Sequence, residues 1–345
     1  MRRQDLIARA LLTLAAVLPY WRVLTFAIVF VTDDYFASDV FNGELPARAM
    51  IGQMIRHGQL PVWTDRLCSG LPLVGTAADP IGLASFALLP PAPALDFLVI
   101  VLLLVAAHGA YSLARRFGAD RVGAVLAGVA FAGSGYIACQ LKHLAIVSTV
   151  AWLPFGLVLL DRAMDGGRTA AAAGFGLVFA NQALSGFPQS AYISGLVYVA
   201  FALFRGVERR DGRWNAAWRP LLRAGVAMAL GGAAGAVVLL PLSALGSISD
   251  RVDTAGWEWA TRLAYWPPNA LTFLFPYAHG DISNNTYSGP PFFWEDYGYV
   301  GLVTFLLAVY GAIRDRRRKD VTFAIAMTLV AYLFVLGRAT PVVRI

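Results

Sequence analysis

Apolar runs of about 20 residues, with polar residues gathered at their ends, recur along this chain. A helix of that length crosses the hydrocarbon core of a bilayer, which is about 30 Å thick, at about 1.5 Å per residue. The pattern predicts nine spans, at 6–31, 94–115, 122–139, 144–163, 169–185, 189–205, 221–245, 297–313 and 321–337. Pro19 and Arg22 interrupt the first of them. The apolar piece 80–91, closed by Pro90 and Pro91, is too short to span and reads as re-entrant or interfacial. A short helix is expected over about 46–57. Two long segments, 32–93 and 246–296, separate spans and carry many Trp, Tyr, Pro, Gly, Asp, Asn and Gln residues.

Composition fixes the class. Hydrophobic residues make up 58% of the 345 and charged residues 14%, with a mean hydropathy of +0.61. Soluble domains carry roughly 25% charged residues, so too few are present here to cover a water-facing surface. The expected fold is an all-α polytopic membrane protein. Its net charge of +7 is no nucleic-acid signal, because the basic residues follow the spans. With the N-terminus inside, the cytoplasmic segments hold Arg2, Arg3 and Arg9, then Arg115, Arg116 and Arg121, then Arg162 and Arg168, the Arg205–Arg223 loop, and Arg314–Lys319. Those segments contain 19 of the 28 basic residues, which predicts a cytoplasmic N-terminus and places 32–93 and 246–296 on the outer face. Met1, Arg2 and Arg3 open an apolar run without a small-residue cleavage site, so the first helix is expected to stay as an anchor.

Neither a Walker loop, a Ser-His-Asp order nor a glycine-rich dinucleotide motif in strand context occurs, and Cys68 and Cys139 match no metal spacing. The candidate chemistry lies in the outer segments. Asp33, Asp34, Asp39, Glu44, His57, Asp65 and Asp79 fall in the first. Lys142 and His143, Asn181 and Gln182, and Gln189 fall at later outer turns, and Asp250, Arg251, Asp253, Glu258, Arg262, His279, Asp281, Glu295 and Asp296 in the last long segment.

The motifs come in a recognisable order: DVFNGELP at 39–46, GQLPVW at 58–63, SGLPL at 69–73, DP at 79–80, GSGY at 133–136, WLP at 152–154 and GFPQ at 186–189. Pro241, FP at 275–276, WEDYGYVGL at 294–302 and GRATP at 337–341 complete the series. In that order the chain, from about residue 30 to its end, resembles the YfhO family of bacterial membrane proteins. These look like GT-C-type glycosyltransferases.

The resemblance implies a GT-C-like helical bundle in the bacterial inner membrane, with short interfacial helices in long outer loops. It implies an enzyme that takes sugar from a polyprenyl-phosphate carrier and passes it to a cell-envelope polymer or lipid acceptor on the outer face. Asp39 is the position that matches the family's carboxylate, and Glu295 is the second catalytic candidate. Asp33 and Asp34 form a rival acidic pair, as other GT-C families carry one just after the first helix. Family members continue past the Gly-x-x-Thr-Pro motif with more helices. A C-terminal part is therefore expected to be absent here, leaving an apolar flank on the last helices.

The chemistry of transfer needs one base. A sugar on a lipid phosphate already has a good leaving group, whereas the acceptor hydroxyl must lose a proton to a carboxylate within hydrogen-bond reach. The departing phosphate needs positive charge, for which Lys142, Arg251 and Arg262 are the outer-side candidates. Asp79, His143 and Gln189 are expected to contact substrate. Each has a plainer role available: Asp39 and Asp79 as helix caps, Gln189 satisfying a helix start, and Glu295 as an acid at a helix N-terminus. The sequence fixes no cofactor. A hard divalent cation on Asp33, Asp34, Asp39, Glu295 and Asp296 is chemically open. Two other functions stay open: a transporter or flippase for a lipid-linked or small polar substrate, and a scaffold without activity for envelope assembly.

Overall fold

A computed structural model of the chain describes residues 3–25, 28–30, 38–66, 69–73, 78–165, 169–208, 214–249, 256–290 and 293–340. Among the described residues the protein is all-α apart from one antiparallel ladder, β1 (Trp63–Thr64) on β2 (Leu71–Pro72). Five helical stretches among these residues are long and apolar enough to cross a membrane: Pro91–Arg116, Arg121–Gln140, Leu144–Met164, Pro188–Glu208 and Trp218–Ser247. By helix length and hydropathy this is a multi-pass membrane protein. Thr169–Leu184 and Leu302–Arg314 are apolar but shorter. At the first expected span, α1 (Arg3–Val17) stops after 15 residues. Pro19 sits in the 3-10 turn Leu18–Tyr20 that follows, and a second such turn covers Val23–Thr25. A helix of that length reaches only about 22 Å, short of the hydrocarbon thickness.

The chain divides into two compact units. The first comprises Met1–Ala132 and Leu141–Ser243, the second Gly133–Gln140 and Ala244–Ile345.

In the first unit α2 (Leu45–Arg56) and α3 (Pro80–Leu88) lead into α4 (Pro91–Arg116) and α5 (Arg121–Ala132). Helix α4 is central, packing on α1, α3, α5 and α8 (Leu153–Met164). Its buried Leu95, Leu98, Val99, Leu102, Leu103, Ala106 and Ala110 recur at helical spacing, so one apolar stripe serves several neighbours. The small residues in that stripe permit close helix approach where lipid offers no hydrophobic drive between helices. The piece that the sequence reads as too short to span is α3, which packs between α2 and α4. Gly52 of α2 lies against the Phe86 carbonyl of α3, where a methyl group would stand 2.1 Å from the oxygen.

One end of this unit collects charge. Asp161 of α8, 0% exposed, accepts from Arg116 of α4 and, at 2.7 Å, from Arg205 of α10 (Pro188–Glu208). Arg121 at the start of α5 donates to Asp5 of α1 at 2.8 Å. The packing thus gathers at one end Arg116, Arg121 and Arg205, which the charge pattern assigns to a single membrane face. Away from that end, α7 (Leu144–Val150), α9 (Thr169–Leu184) and α10 are joined through Gln182, fully buried. Its Nε2 donates to the Thr149 carbonyl at 2.9 Å, and its Oε1 accepts from the Tyr198 hydroxyl at 2.9 Å. Helix α11 (Trp214–Ser247) belongs to this unit as far as Ser243, and its residues from Ala244 on are counted in the second.

The second unit holds α6 (Gly135–Gln140), α12 (Trp257–Ala260), a 3-10 helix over Pro267–Phe273, α13 (Phe293–Asp296), α14 (Leu302–Arg314) and α15 (Lys319–Val335). Helix α6 packs on α13, and the Gly135 amide donates to the Tyr299 carbonyl at 2.6 Å. Neither α14 nor α15 buries a residue, and Leu306, Leu307, Leu329 and Phe334 are open. Such all-round apolar exposure suits contact with lipid.

Candidate functional site

The site grows from the segment in front of α2. Asp39 opens a π-helical turn, Val40–Glu44, that runs directly into the helix, and Pro46 is accommodated in its first turn, where no amide is needed. Asp39 therefore stands at a helix start, as its cap reading expects, but its side chain makes no capping bond. The Val40 amide donates to the Lys142 carbonyl at 3.1 Å, which fastens the turn to the residues preceding α7. His143 is the residue before α7, and its Nε2 lies 3.4 Å from Oδ2 of Asp39. The Asp39 side chain is 68% exposed and that of His143 13%. Lys142 beside them is buried.

A second group of charges backs this pair. Glu44 Oε1 accepts the Ala145 amide at 3.1 Å, in the first turn of α7. Arg48, one turn on along α2, places Nε 3.6 Å from Glu44 Oε2 and donates from Nη1 to Asp79 Oδ1 at 2.8 Å. The other Asp79 oxygen accepts the Gly82 amide at 2.8 Å and so caps α3. Arg48 and Asp79 are 1% and 2% exposed. Burial pushes the Glu44 carboxyl above its usual 4.5, against the pull of the Arg48 charge. Glu44, Arg48 and Asp79 tie α2 to α3 and to α7, and that tie holds the Asp39 turn against His143.

Arg48 escaped the sequence reading. Two signals point to it: Glu44 four residues earlier on one helix face, and its place on the stripe of buried Ala47, Arg48, Ile51 and Gly52. An arginine on an apolar stripe implies a buried acidic partner.

The remaining candidates are spread. Gln189 is exposed in the first turn of α10. Asn181 and Gln182 are buried, the latter in the helix-joining network. In the second unit Glu295 is exposed on α13, with Oε2 3.5 Å from Gln140 Nε2, which also lies 3.3 Å from the Trp294 carbonyl. Arg262 is exposed and its guanidinium lies 5.3 Å from the Trp259 ring centroid, an exposed cation–π pair. Asp296 accepts the Trp266 amide at 3.2 Å and the Asn269 side chain at 2.9 Å, and burial pushes its carboxyl up. Asp33, Asp34 and Arg251 lie outside the described residues. The structure thus brings Asp39, Lys142 and His143 together and puts Asp79 in the charge group behind them.

Among the described residues no three His, Cys, Asp or Glu side chains are grouped to hold a metal ion. The divalent cation considered for Asp39, Glu295 and Asp296 has no built site there. An open carboxylate beside an imidazole, with an ammonium next to it in sequence, is suited to taking a proton from a hydroxyl near a developing anion.

Comparison of the chain with family models, with curated proteins and with solved structures gave no match.

Proposed function

We propose that this protein is a membrane glycosyltransferase that moves a sugar from a polyprenyl-phosphate carrier to a cell-envelope acceptor. The reading rests on one observation: an exposed Asp39 carboxylate, 3.4 Å from His143, in a turn fastened to the segment that carries buried Lys142. In this reading the chain is a GT-C-like bundle of the bacterial inner membrane. Its N-terminus is cytoplasmic and the Asp39 turn lies on the outer face, as the distribution of basic residues favours.

The step follows from the chemistry of the bond. Asp39 takes the proton of the acceptor hydroxyl, and the acceptor oxygen bonds the anomeric carbon. The bond from that carbon to the phosphate oxygen breaks, and the lipid phosphate leaves with the electron pair. Attack opposite the leaving group inverts the anomeric centre. His143 holds the Asp39 carboxylate in place, and the Lys142 ammonium offsets charge on the leaving phosphate. Gln189 and Asp79, in the same unit, are assigned to substrate contact and its support, whereas Glu295 and Arg262 belong to the second unit.

The test is transfer of labelled sugar from a synthetic polyprenyl-phosphate donor by the full chain in liposomes, with inner-membrane extract as acceptor source. Labelled polymer or lipid product is expected. Donor that stays unconsumed across a panel of sugars would overturn the reading.

One observation favours transport instead. His108 lies inside the stretch Pro91–Arg116, about 12 Å from its basic end, and bonds Thr13 at 2.9 Å and Arg9 at 3.4 Å. An ionisable group within a span is a mark of ion or substrate pathways. Movement of the labelled donor between leaflets without product is the outcome that reading expects.

A further inference from the structure

Beyond the charged end of α2 the helix forms one wall of an open cavity of about 550 Å³, within the roughly 300–1,000 Å³ of small-molecule sites. The opposite wall is the β1 ladder and the residues after it. Met50 and Met54 of α2 and buried Thr64 supply its less polar lining. The Thr64 hydroxyl is occupied, donating to Met50 Sδ at 3.1 Å. Trp63 enters from β1 with 55% of its surface exposed. Its indole is set by Gly70 across the hairpin, at φ 129°, where an added methyl group would stand 2.6 Å from Cζ2 of the ring. Only glycine allows both that backbone and that contact.

The polar lining is exposed and of mixed sign. Gln53 and Gln59 each offer a donor and an acceptor. His57 Nδ1 lies 2.8 Å from the Gln53 carbonyl, which can only accept, so Nδ1 carries a proton. In the neutral ring Nε2 is then an acceptor. Asp65 and Arg66 are neighbours in sequence and bring opposite charges to the lining, with a sum of zero. A phosphate would meet one guanidinium beside a carboxylate, and a metal ion would meet a single carboxylate. A bare acyl chain would leave these polar groups without partners. The lining fits a ligand without net charge, with many hydroxyls and an apolar C–H face to lay on an indole.

We propose that this cavity is a binding site for a neutral saccharide, which stacks on Trp63 while its hydroxyls bond Gln53, Gln59, His57 and the Asp65–Arg66 pair. The site deepens the transfer reading by giving a glycan acceptor a seat, about 18 Å along α2 from the Asp39 turn, and to that extent rests on that reading. Its test reads binding without turnover. Loss of transfer with binding intact counts against the transfer reading alone, and loss of binding with transfer intact counts against the seat alone.

The experiment is saturation-transfer NMR on the full chain in lipid nanodiscs, free of sugar-headed detergent. The probes are methyl glucoside, methyl galactoside, N-acetylglucosamine and maltotriose. Saturation is expected on the ring C–H protons of at least one probe. Trp63→Ala should weaken that binding about tenfold, the scale of a lost aromatic contact, whereas Trp63→Phe retains most of it. Gly70→Ala should weaken it with Trp63 still present, and Gln59→Ala should weaken it without touching the hairpin. Three results would overturn the site: no probe binding, binding unchanged in both Trp63→Ala and Gln59→Ala, or displacement of the saccharide by inorganic phosphate.

Discussion

The Asp39 carboxylate lies 3.4 Å from the His143 imidazole, and the backbone on either side sets that distance. The Val40 amide on the Lys142 carbonyl and the Ala145 amide on Glu44 join the same two segments, each at 3.1 Å. The pair therefore depends on Glu44, and through Glu44 on Arg48 and Asp79. Positioning by a buried charge group leaves the Asp39 carboxylate, the proposed base, open to solvent.

That dependence carries a pH signature. The Glu44 carboxyl titrates above its ordinary 4.5 in the folded protein, mainly because it is buried. Its contribution to stability is thus fully present below 4.5 and is lost as pH rises through the raised value. Glu44→Gln keeps an acceptor for the Ala145 amide and removes the titration. Melting of both proteins across pH should show the wild type losing ground to Glu44→Gln as pH rises above about 4.5. The reverse slope would show that Arg48 outweighs burial.

At the basic end the central residue is Asp161, held between Arg116 and Arg205. Removing one member of a buried ion pair leaves the other charge uncompensated, at about 3–5 kcal/mol. Asp161→Ala should therefore lower the melting temperature of the purified protein severely. Asp165→Ala, whose side chain is 33% exposed, should cost no more than about 1 kcal/mol. Equal losses would place the strength of this end outside Asp161.

The proposed orientation has its own check. In a chain with Cys68 and Cys139 replaced by Ser, an impermeant maleimide added outside intact cells should label Ser283→Cys and leave Asp211→Cys unlabelled. The opposite pattern would put the Asp39 turn on the cytoplasmic face and remove lipid-linked sugar on the outer face as its substrate.

How much of this was legible in the sequence depends on the kind of interaction. The apolar runs around 94–115, 144–163 and 189–205 announce long helices, because lipid tolerates apolar residues on every face and leaves the period nothing to hide. The early end of α1 was also visible, in Pro19. The Asp39 turn, Lys142 and His143 could be named as candidates from residue type alone. Their meeting could not, since it rests on one backbone bond and one bond from a backbone amide to the Glu44 side chain, between segments far apart in sequence. Asp79 reads equally well as a cap or as a ligand, and in the fold it caps α3 while pairing with Arg48. Arg48 itself was passed over, because its two signals, Glu44 one turn earlier and its place on the apolar stripe, emerge only once α2 is given its helical register. Trp63 and Gln59 lie in the motif GQLPVW, yet nothing in that motif shows that the hairpin folds back over α2.

The most direct measurement on the central claim is the rate of sugar transfer by Asp39→Asn in liposomes, alongside donor binding by the same protein. A lost general base costs about 10²–10⁴-fold in rate. The account predicts a fall of that size with donor affinity unchanged, and a milder effect for Asp33→Asn and Asp34→Asn. Full activity in Asp39→Asn together with an inactive Asp34→Asn would contradict it and move the base to the earlier acidic pair.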